Sequence, residues 1–303
     1  MSQKDLLWGI DLGGTKIEGV IMDPSSSTPA IHRLRKPTPA ASGFQAVLAQ
    51  IVSVVADLEV QSGLKRPGTI GIGTPGAVDP TTMQMKNSNT TCLNGKALKE
   101  DLAAALGCEL AMANDANCFA LAESVLGSAK GSSVVMGLIL GTGVGGGIVV
   151  SGQVLPGMHG IAGEWGHNPL PGESHPCYCG RKGCVETVIA GPSLERYYRE
   201  QGGEALRLPA IAQLAEQGDA RAIKTLCRLR EKFAVAIAAA INILDPDAIV
   251  IGGGVGNLPI LYADETRQEI LRHVFNSELR TRILPPILGD SAGVFGAALL
   301  AQH

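Results

Sequence analysis

Two glycine-tipped hairpins open the two halves of this chain. In the first, Leu6 to Ile10 reads as a buried strand, Asp11-Leu-Gly13-Gly14-Thr15-Lys16 as a turn and Ile17 to Met22 as a second strand. In the second, Val134 to Leu140 is a strand, Gly141-Thr142-Gly143-Val-Gly145-Gly-Gly147 a turn and Ile148 to Val150 a strand. Each leads into alternating strands and helices. Such a restart predicts a duplicated α/β fold with a cleft between its halves.

The remaining pattern fits that reading. Apolar residues at Phe44, Val47, Leu48, Ile51, Val54, Val55 and Leu58 recur at helical spacing. Thr69 to Gly73 and Leu110 to Ala113 read as strands, and Leu98 to Leu106 as a helix. Asn114-Asp115 opens a further helix through Leu126. After a helix-rich stretch from Ser193 to Leu244, a strand from Ala248 to Ile251 ends in Gly252-Gly253-Gly254. A helix follows from about Tyr262 to Phe275, and Asp290-Ser291 is expected to cap a last helix to Ala301.

With 303 residues, 45% of them hydrophobic, the chain can build one large domain or two ordinary ones. Its 39 glycines are nearly twice the ~7% average and show no collagen-like period. They cluster at 13–14, 71–76, 141–147 and 252–254, where the backbone can approach a ligand closely. A net charge of −3 with interspersed signs gives no nucleic-acid footprint and no anionic-membrane surface. Seven cysteines, an odd number, fit a reducing compartment, and no apolar signal core precedes the first strand. The apolar run from Phe233 to Leu244 stops at Asp245-Pro246-Asp247, too short to cross a bilayer. A cytoplasmic protein without membrane or nucleic-acid partners is expected.

The segment Glu164-Trp-Gly-His167 … Cys177-Tyr-Cys179-Gly-Arg-Lys-Gly-Cys184-Val-Glu186 carries the densest chemistry. Three thiolates and one imidazole make a closed tetrahedral Zn²⁺ set, normally structural because no position is left for water. Gly180 and Gly183 let the loop curl back on itself. Three buried thiols and a core histidine would be the bland alternative. Spacing leaves both His167 and His175 available as the fourth ligand.

Asp-x-Gly-Gly-Thr-Lys, a second Gly-Thr-Gly hairpin and a Gly-Gly-Gly strand end resemble the phosphate-1, phosphate-2 and adenosine elements of the actin/hexokinase/Hsp70 superfamily. With Glu164-x-Gly-His167 and Cys177-x-Cys179-Gly-x-x-Gly-Cys184-x-Glu186 added, the chain resembles the ROK family of sugar kinases and repressors from residue 6 to 301. The stretches Asn87–Gly95, Ala162–Pro171 and Pro176–Gly180 look most like bacterial fructokinases of the fructokinase/mannokinase type.

The resemblance implies a duplicated actin-like/hexokinase-like (ribonuclease H-like) fold, two lobes around a cleft, closing by a hinge. The smaller lobe is expected at 1–113 plus 288–303 and the larger, with the zinc loop, at 114–287. It implies an ATP-dependent hexose kinase, D-fructose to fructose 6-phosphate, with glucokinase and N-acetylglucosamine kinase as alternatives, and a homodimer. A sugar-responsive regulator is disfavoured, since only ten residues precede Asp11 and leave no room for a winged helix. ATP is expected on Gly13, Gly14, Thr15, Lys16, Gly141, Thr142, Gly143, Gly252, Gly253 and Gly254, with Asp11 in the Mg²⁺ shell. Asp115 is the expected general base, its carboxylate favoured by the helix dipole. Sugar is expected on Gly76, Asn89, Asn114, Asp115, Glu164, His167 and Glu186. The resemblance selects His167 over His175, beside Cys177, Cys179 and Cys184, with its second ring nitrogen towards the sugar.

Overall fold

A strand or helix forms here wherever the apolar spacing called for one, with a few additions. The computed structural model describes residues 6–302; residues 1–5 and 303, the ends of the expected first lobe, lie outside the described residues. In chain order come β1 (Leu7–Leu12), β2 (Lys16–Met22), β3 (Ala30–Pro37), α1 (Phe44–Ser62), β4 (Thr69–Thr74), β5 (Ala77–Val78), β6 (Met85–Lys86), α2 (Leu98–Leu106), β7 (Glu109–Asn114) and α3 (Asp115–Val125). There follow β8 (Val134–Leu140), β9 (Val144–Val150), β10 (Gln153–Val154), α4 (Glu186–Ile189), α5 (Gly191–Glu200), α6 (Leu208–Glu216) and α7 (Ala220–Leu244). The chain ends with β11 (Ala248–Gly252), α8 (Gly253–Gly256), α9 (Asp264–Leu271), β12 (Arg282–Leu284) and α10 (Ala292–Leu300).

These elements form two compact units of near-equal size. The first comprises residues up to Gly127, Gln153–Ala162 and the chain from Leu288; the second comprises Ser128–Gly152 and Gly163–Ile287. The boundary expected after residue 113 therefore falls after Gly127, and neither unit is the smaller lobe. The cause is packing: α3 lies on α10 so closely that a Cβ on Gly296 would stand 1.8 Å from the Cys118 carbonyl oxygen.

In the first unit the sheet order is β3-β2-β1-β4-β7, antiparallel across β3-β2-β1 and parallel across β1-β4-β7. Successive side chains alternate faces. Gly9 and the paired Gly71 face α10, whose Ala297 and Ala298 backbone would collide with any Cβ there. Gly19, opposite Ile10, faces Val54 and Leu58 of α1. The core between sheet and helices holds Ile10, Ile17, Ile51, Val54, Leu58 and Ile72, each fully buried. By length and composition α1 could cross a membrane, but its Val47, Ile51, Val54, Val55 and Leu58 stripe is buried in this core.

β3 was not expected from sequence. Its pattern is polar because Arg33 and Arg35, two residues apart on one face, both bond Glu18, which is 1% exposed in the middle of β2. Lys16 adds a third cation to that carboxylate at 3.5 Å.

The second unit repeats the plan: β8 and β9 are an antiparallel hairpin, and β8, β11 and β12 are parallel neighbours in that order. Asp247 docks the entry to β8, accepting from the Ser133 and Val134 amides at 2.8 Å each. Asp219 caps α7 by accepting from the Ala222 amide at 2.8 Å. From α7, Leu229, Phe233, Ala234 and Ile237 enter a core with Leu138, Ile249 and Ile251. The expected helix from Tyr262 to Phe275 is shorter, a 3₁₀ turn Pro259–Tyr262 followed by α9. Likewise Asp290 and Ser291 lie in a 3₁₀ turn and give α10 no side-chain cap bond.

Candidate active site

In the first unit the β1–β2 tip is held from behind. Gly13 N–H donates to Lys16 O at 2.9 Å, and Thr38 bonds Thr15 O through its amide at 3.0 Å and Gly13 O through its hydroxyl at 2.7 Å. This leaves Gly14 and Thr15 exposed. A Cβ on Gly14 would meet only Thr90 Oγ1, at 3.7 Å, and that buried hydroxyl has no partner. The space and the unused donor suit a phosphate oxygen. Lys16 rests on Glu18.

Asp11 is half-buried on β1, and its carboxylate has room because Gly73 and Gly293 lack side chains. Burial, then the Asp115 and Glu18 charges, raise its pKa to about 6, against the pull of Lys16 and Arg35. A second carboxylate this near marks a place short of positive charge, which a divalent cation would supply.

Asp115 is the first residue of α3. Asn114, in extended conformation at the strand end, is the cap: its Oδ1 accepts from the Asn117 amide at 2.8 Å. That uses the Asn114 carbonyl oxygen and leaves its amide as the group it can offer a ligand. Asp115 Oδ1 accepts from the Ala116 amide at 2.8 Å. Its tip reaches solvent, yet surrounding protein raises its pKa, opposed by the Ala116 amide. Asn114 pairs with Thr74, Thr74 Oγ1 donates to Gly76 O at 2.7 Å, and the Asn89 amide donates to Pro75 O at 3.2 Å. So Gly76, Asn89, Asn114 and Asp115 gather at one end of the parallel strands, where α/β ligands bind. Gly76 is also required by the chain itself, since its Cβ would stand 2.7 Å from Lys86 O.

In the second unit Gly141 N–H donates to Gly143 O at 2.9 Å, Thr142 is exposed, and a Gly141 Cβ would meet nothing within 4 Å. Gly253, at φ +83°, has its Cβ position 2.4 Å from Leu140 O, so the end of β11 and the root of this hairpin touch. Gly252 is buried in β11, whereas Gly254 faces open space. Gly143 has a different reason: a Cβ there would stand 2.6 Å from Glu186 Oε2. That oxygen accepts from the Val144 amide at 2.9 Å, which fixes Glu186 at the hairpin tip.

The 3₁₀ turn Trp165–His167 lies on β9. Gly146, Gly163 and Gly166 permit backbone approach there, and buried Trp165 meets the Phe233 ring edge-on at 6.4 Å. The following loop folds back through Leu170 N–H to Gly183 O at 2.7 Å, Gly183 N–H to His175 O at 2.9 Å and Cys177 N–H to Arg181 O at 2.8 Å. Gly180 and Gly183 take φ +87° and +70°.

This brings ligand atoms of His167, Cys177, Cys179 and Cys184 within 4.8 Å of one another. Cys177 Sγ is 3.6 Å from His167 Nδ1, and Cys179 Sγ is 3.6 Å from Cys184 Sγ. A tetrahedral zinc needs edges of about 3.8 Å between sulfurs and about 3.6 Å from sulfur to nitrogen. The donor set fits such an ion. His175 lies outside the cluster and lines a neighbouring 180 Å³ pocket with Thr142, Glu186 and Arg196. Burial and the other thiols push Cys184 up, while the Arg181 amide pulls Cys179 down, so binding a cation displaces protons.

His167 Nε2 points the other way, 3.8 Å from Glu164 Oε2 and 3.1 Å from the Tyr178 hydroxyl. Surrounding protein, then Glu186 and Glu164, push that phenol up to about 12. Glu164, His167, Tyr178 and Glu186 thus form one polar cluster. Tyr178 was missed from sequence; its signal was a large aromatic between two cysteines of the cluster.

Similar proteins and solved structures are sugar kinases. An N-acetyl-D-glucosamine kinase of Photobacterium profundum is 35% identical over 305 aligned positions, covering 97% of this chain and 99% of that one. The crystal structure of a ROK hexokinase from Thermus thermophilus superposes with TM-score 0.87 at 31% identity, covering 98% of each chain. A ROK glucokinase from Streptomyces griseus in complex with glucose and AMPPNP gives 0.76 at 27%, covering 98% of this chain and 99% of that one. The fold is therefore the duplicated actin-like/hexokinase-like one. Fructose finds no support: full-length relatives carry another sugar in their names, and they outweigh the short stretches that pointed to fructokinases. The ROK family model matches residues 7–303, and this chain belongs to the ROK family, among its sugar kinases.

Proposed function

We propose that the chain transfers the γ-phosphoryl group of ATP to the 6-hydroxyl of N-acetyl-D-glucosamine. The observation that carries the choice of sugar is the full-length similarity to kinases named for it, at 34–36% identity. ATP as donor is supported by the AMPPNP-bound glucokinase among the similar structures and by the open glycine tips of both hairpins.

Asp115 takes the hydroxyl proton as the sugar oxygen bonds to the γ-phosphorus and ADP leaves. Glu164, Glu186 and the Asn114 amide bind the ring hydroxyls, with His167, Gly76 and Asn89 beside them. Gly13, Gly14, Thr15, Gly141, Thr142 and Gly143 cradle phosphates, Lys16 lies near them, and Gly252–Gly254 border the nucleoside. Asp11 would hold Mg²⁺, which neutralises phosphate charge when bound. Zn²⁺ on His167, Cys177, Cys179 and Cys184 would fix the loop that carries the sugar residues. Such an enzyme works where ATP is held, in keeping with the expected cytoplasmic location.

The test is kcat/KM with MgATP for N-acetylglucosamine, glucose, mannose and fructose. N-acetylglucosamine should lead. Glucose ahead by tenfold or more would overturn the choice of sugar and leave the kinase assignment standing.

A further inference from the structure

Tyr178 is 81% exposed, so the core makes no use of it. Its backbone is nevertheless held rigidly, flanked by Cys177 and Cys179 and closed by the Gly180 N–H to Cys177 O bond at 3.0 Å. Its ring meets the His167 imidazole edge-on, 5.2 Å between centroids at 88°, and its hydroxyl is 3.1 Å from Nε2. An exposed aromatic on a fixed mount beside polar side chains is the form of a binding group, because little entropy is lost when a ligand meets it.

The direction of the hydrogen bonds decides what ligand it suits. His167 Nδ1 faces the thiols. A cation there leaves the imidazole proton on Nε2, which donates to the Tyr178 oxygen. The phenol proton is then free to be donated outward. Glu164 and Glu186, when ionised, only accept. They can take the protons of sugar hydroxyls but cannot satisfy a carbonyl. The strongest pure acceptor on an N-acetylated hexose is its amide oxygen, and a tyrosine ring also offers an apolar face to the acetyl methyl.

We propose that the Tyr178 hydroxyl donates to the acetamido carbonyl of the sugar and sets the preference for N-acetylated over plain hexose. This rests on the N-acetylglucosamine reading.

The experiment is Tyr178→Phe, which keeps the ring and removes the donor. Sugar Kd by calorimetry without nucleotide, kcat and KM with MgATP, zinc per chain and Tm would all be measured. For N-acetylglucosamine, Kd and KM should both rise about five- to tenfold, the size of one hydrogen bond. For glucose they should stay within about twofold, with kcat, zinc and Tm unchanged. Tyr178→Ala, losing the ring as well, should weaken N-acetylglucosamine further. Equal weakening of both sugars, no weakening of either, or a loss that tracks zinc content would overturn the assignment. Wild-type protein that neither binds nor phosphorylates N-acetylglucosamine would overturn the substrate reading and this assignment together. A wild type that does both, with Tyr178→Phe unaffected, would remove only the role of Tyr178.

Discussion

Asp115 Oδ1 is held by the Ala116 amide at the start of α3, and surrounding protein raises its pKa. As the proposed base it must be ionised, so the acid limb of kcat/KM should lie above the usual carboxylate range of about 4. Asp115→Asn should lower kcat by ~10²–10⁴ while sugar and ATP Kd stay within about tenfold. Near-normal kcat in that variant would place the base elsewhere. Asp11 makes a different prediction. Its pKa is raised from 3.8 to about 6, so the folded protein favours the protonated form. The contribution is fully stabilising below pH ~4 and is lost as pH rises through ~6. Asp11→Asn, which cannot ionise, should therefore be more stable than the wild type at pH 7.5, by on the order of 1–3 kcal/mol, and closely matched at pH 4. Urea midpoints at the two pH values test this; a variant relatively weaker at pH 7.5 contradicts it.

At the scale of elements, the cysteine loop depends on backbone that only glycine supplies. Gly183 has φ +70°, and a Cβ there would stand 2.3 Å from Glu173 O. Glu173 cannot easily yield, since its carboxylate bonds Arg228 at 2.7 Å and Lys232 at 2.8 Å. Gly183→Ala should cost ~1–3 kcal/mol and reduce bound zinc per chain, because Cys184 is the next residue. Cys179→Ser should lose zinc with less damage to the apo fold, as Cys179 is exposed. Elemental analysis and melting curves would separate the two; full zinc in both variants would remove the cluster from consideration as a metal site. An element with a strong local period, such as α1, was legible in sequence, whereas α7 was read only as part of a helix-rich stretch. β3 was not, because its alternation is of cations gathered on Glu18 rather than of apolar side chains.

Over the whole molecule, each unit has its own hydrophobic core and one tryptophan, Trp8 in the first and Trp165 in the second. Both are buried, so each reports the unfolding of its own unit. Separate cores predict a departure from two-state unfolding. Trp165→Phe leaves Trp8 as the probe, and Trp8→Phe leaves Trp165. Zinc chelation should lower the fluorescence midpoint reported by Trp165 well before that reported by Trp8. Equal shifts with both probes would mean that the chain unfolds as one cooperative body.

The sequence by itself determined what depends on neighbours in the chain. The tips at Gly13-Gly14 and Gly141–Gly143, the break at Gly252–Gly254 and the spacing of Cys177, Cys179 and Cys184 are local signals, since a turn or a loop of ligands closes within a few residues. The tertiary structure decided what depends on distant segments meeting. His167, not His175, turns its Nδ1 to the thiols because the Trp165–His167 turn lies on β9. Asn114 spends its carbonyl on capping α3, which only the strand-to-helix geometry shows. α3 joins the first unit because Gly296, far away in sequence, lets α10 reach the Cys118 carbonyl. The choice among hexoses was not legible in short stretches, because a single hydrogen bond can decide it and its partners are brought together by folding.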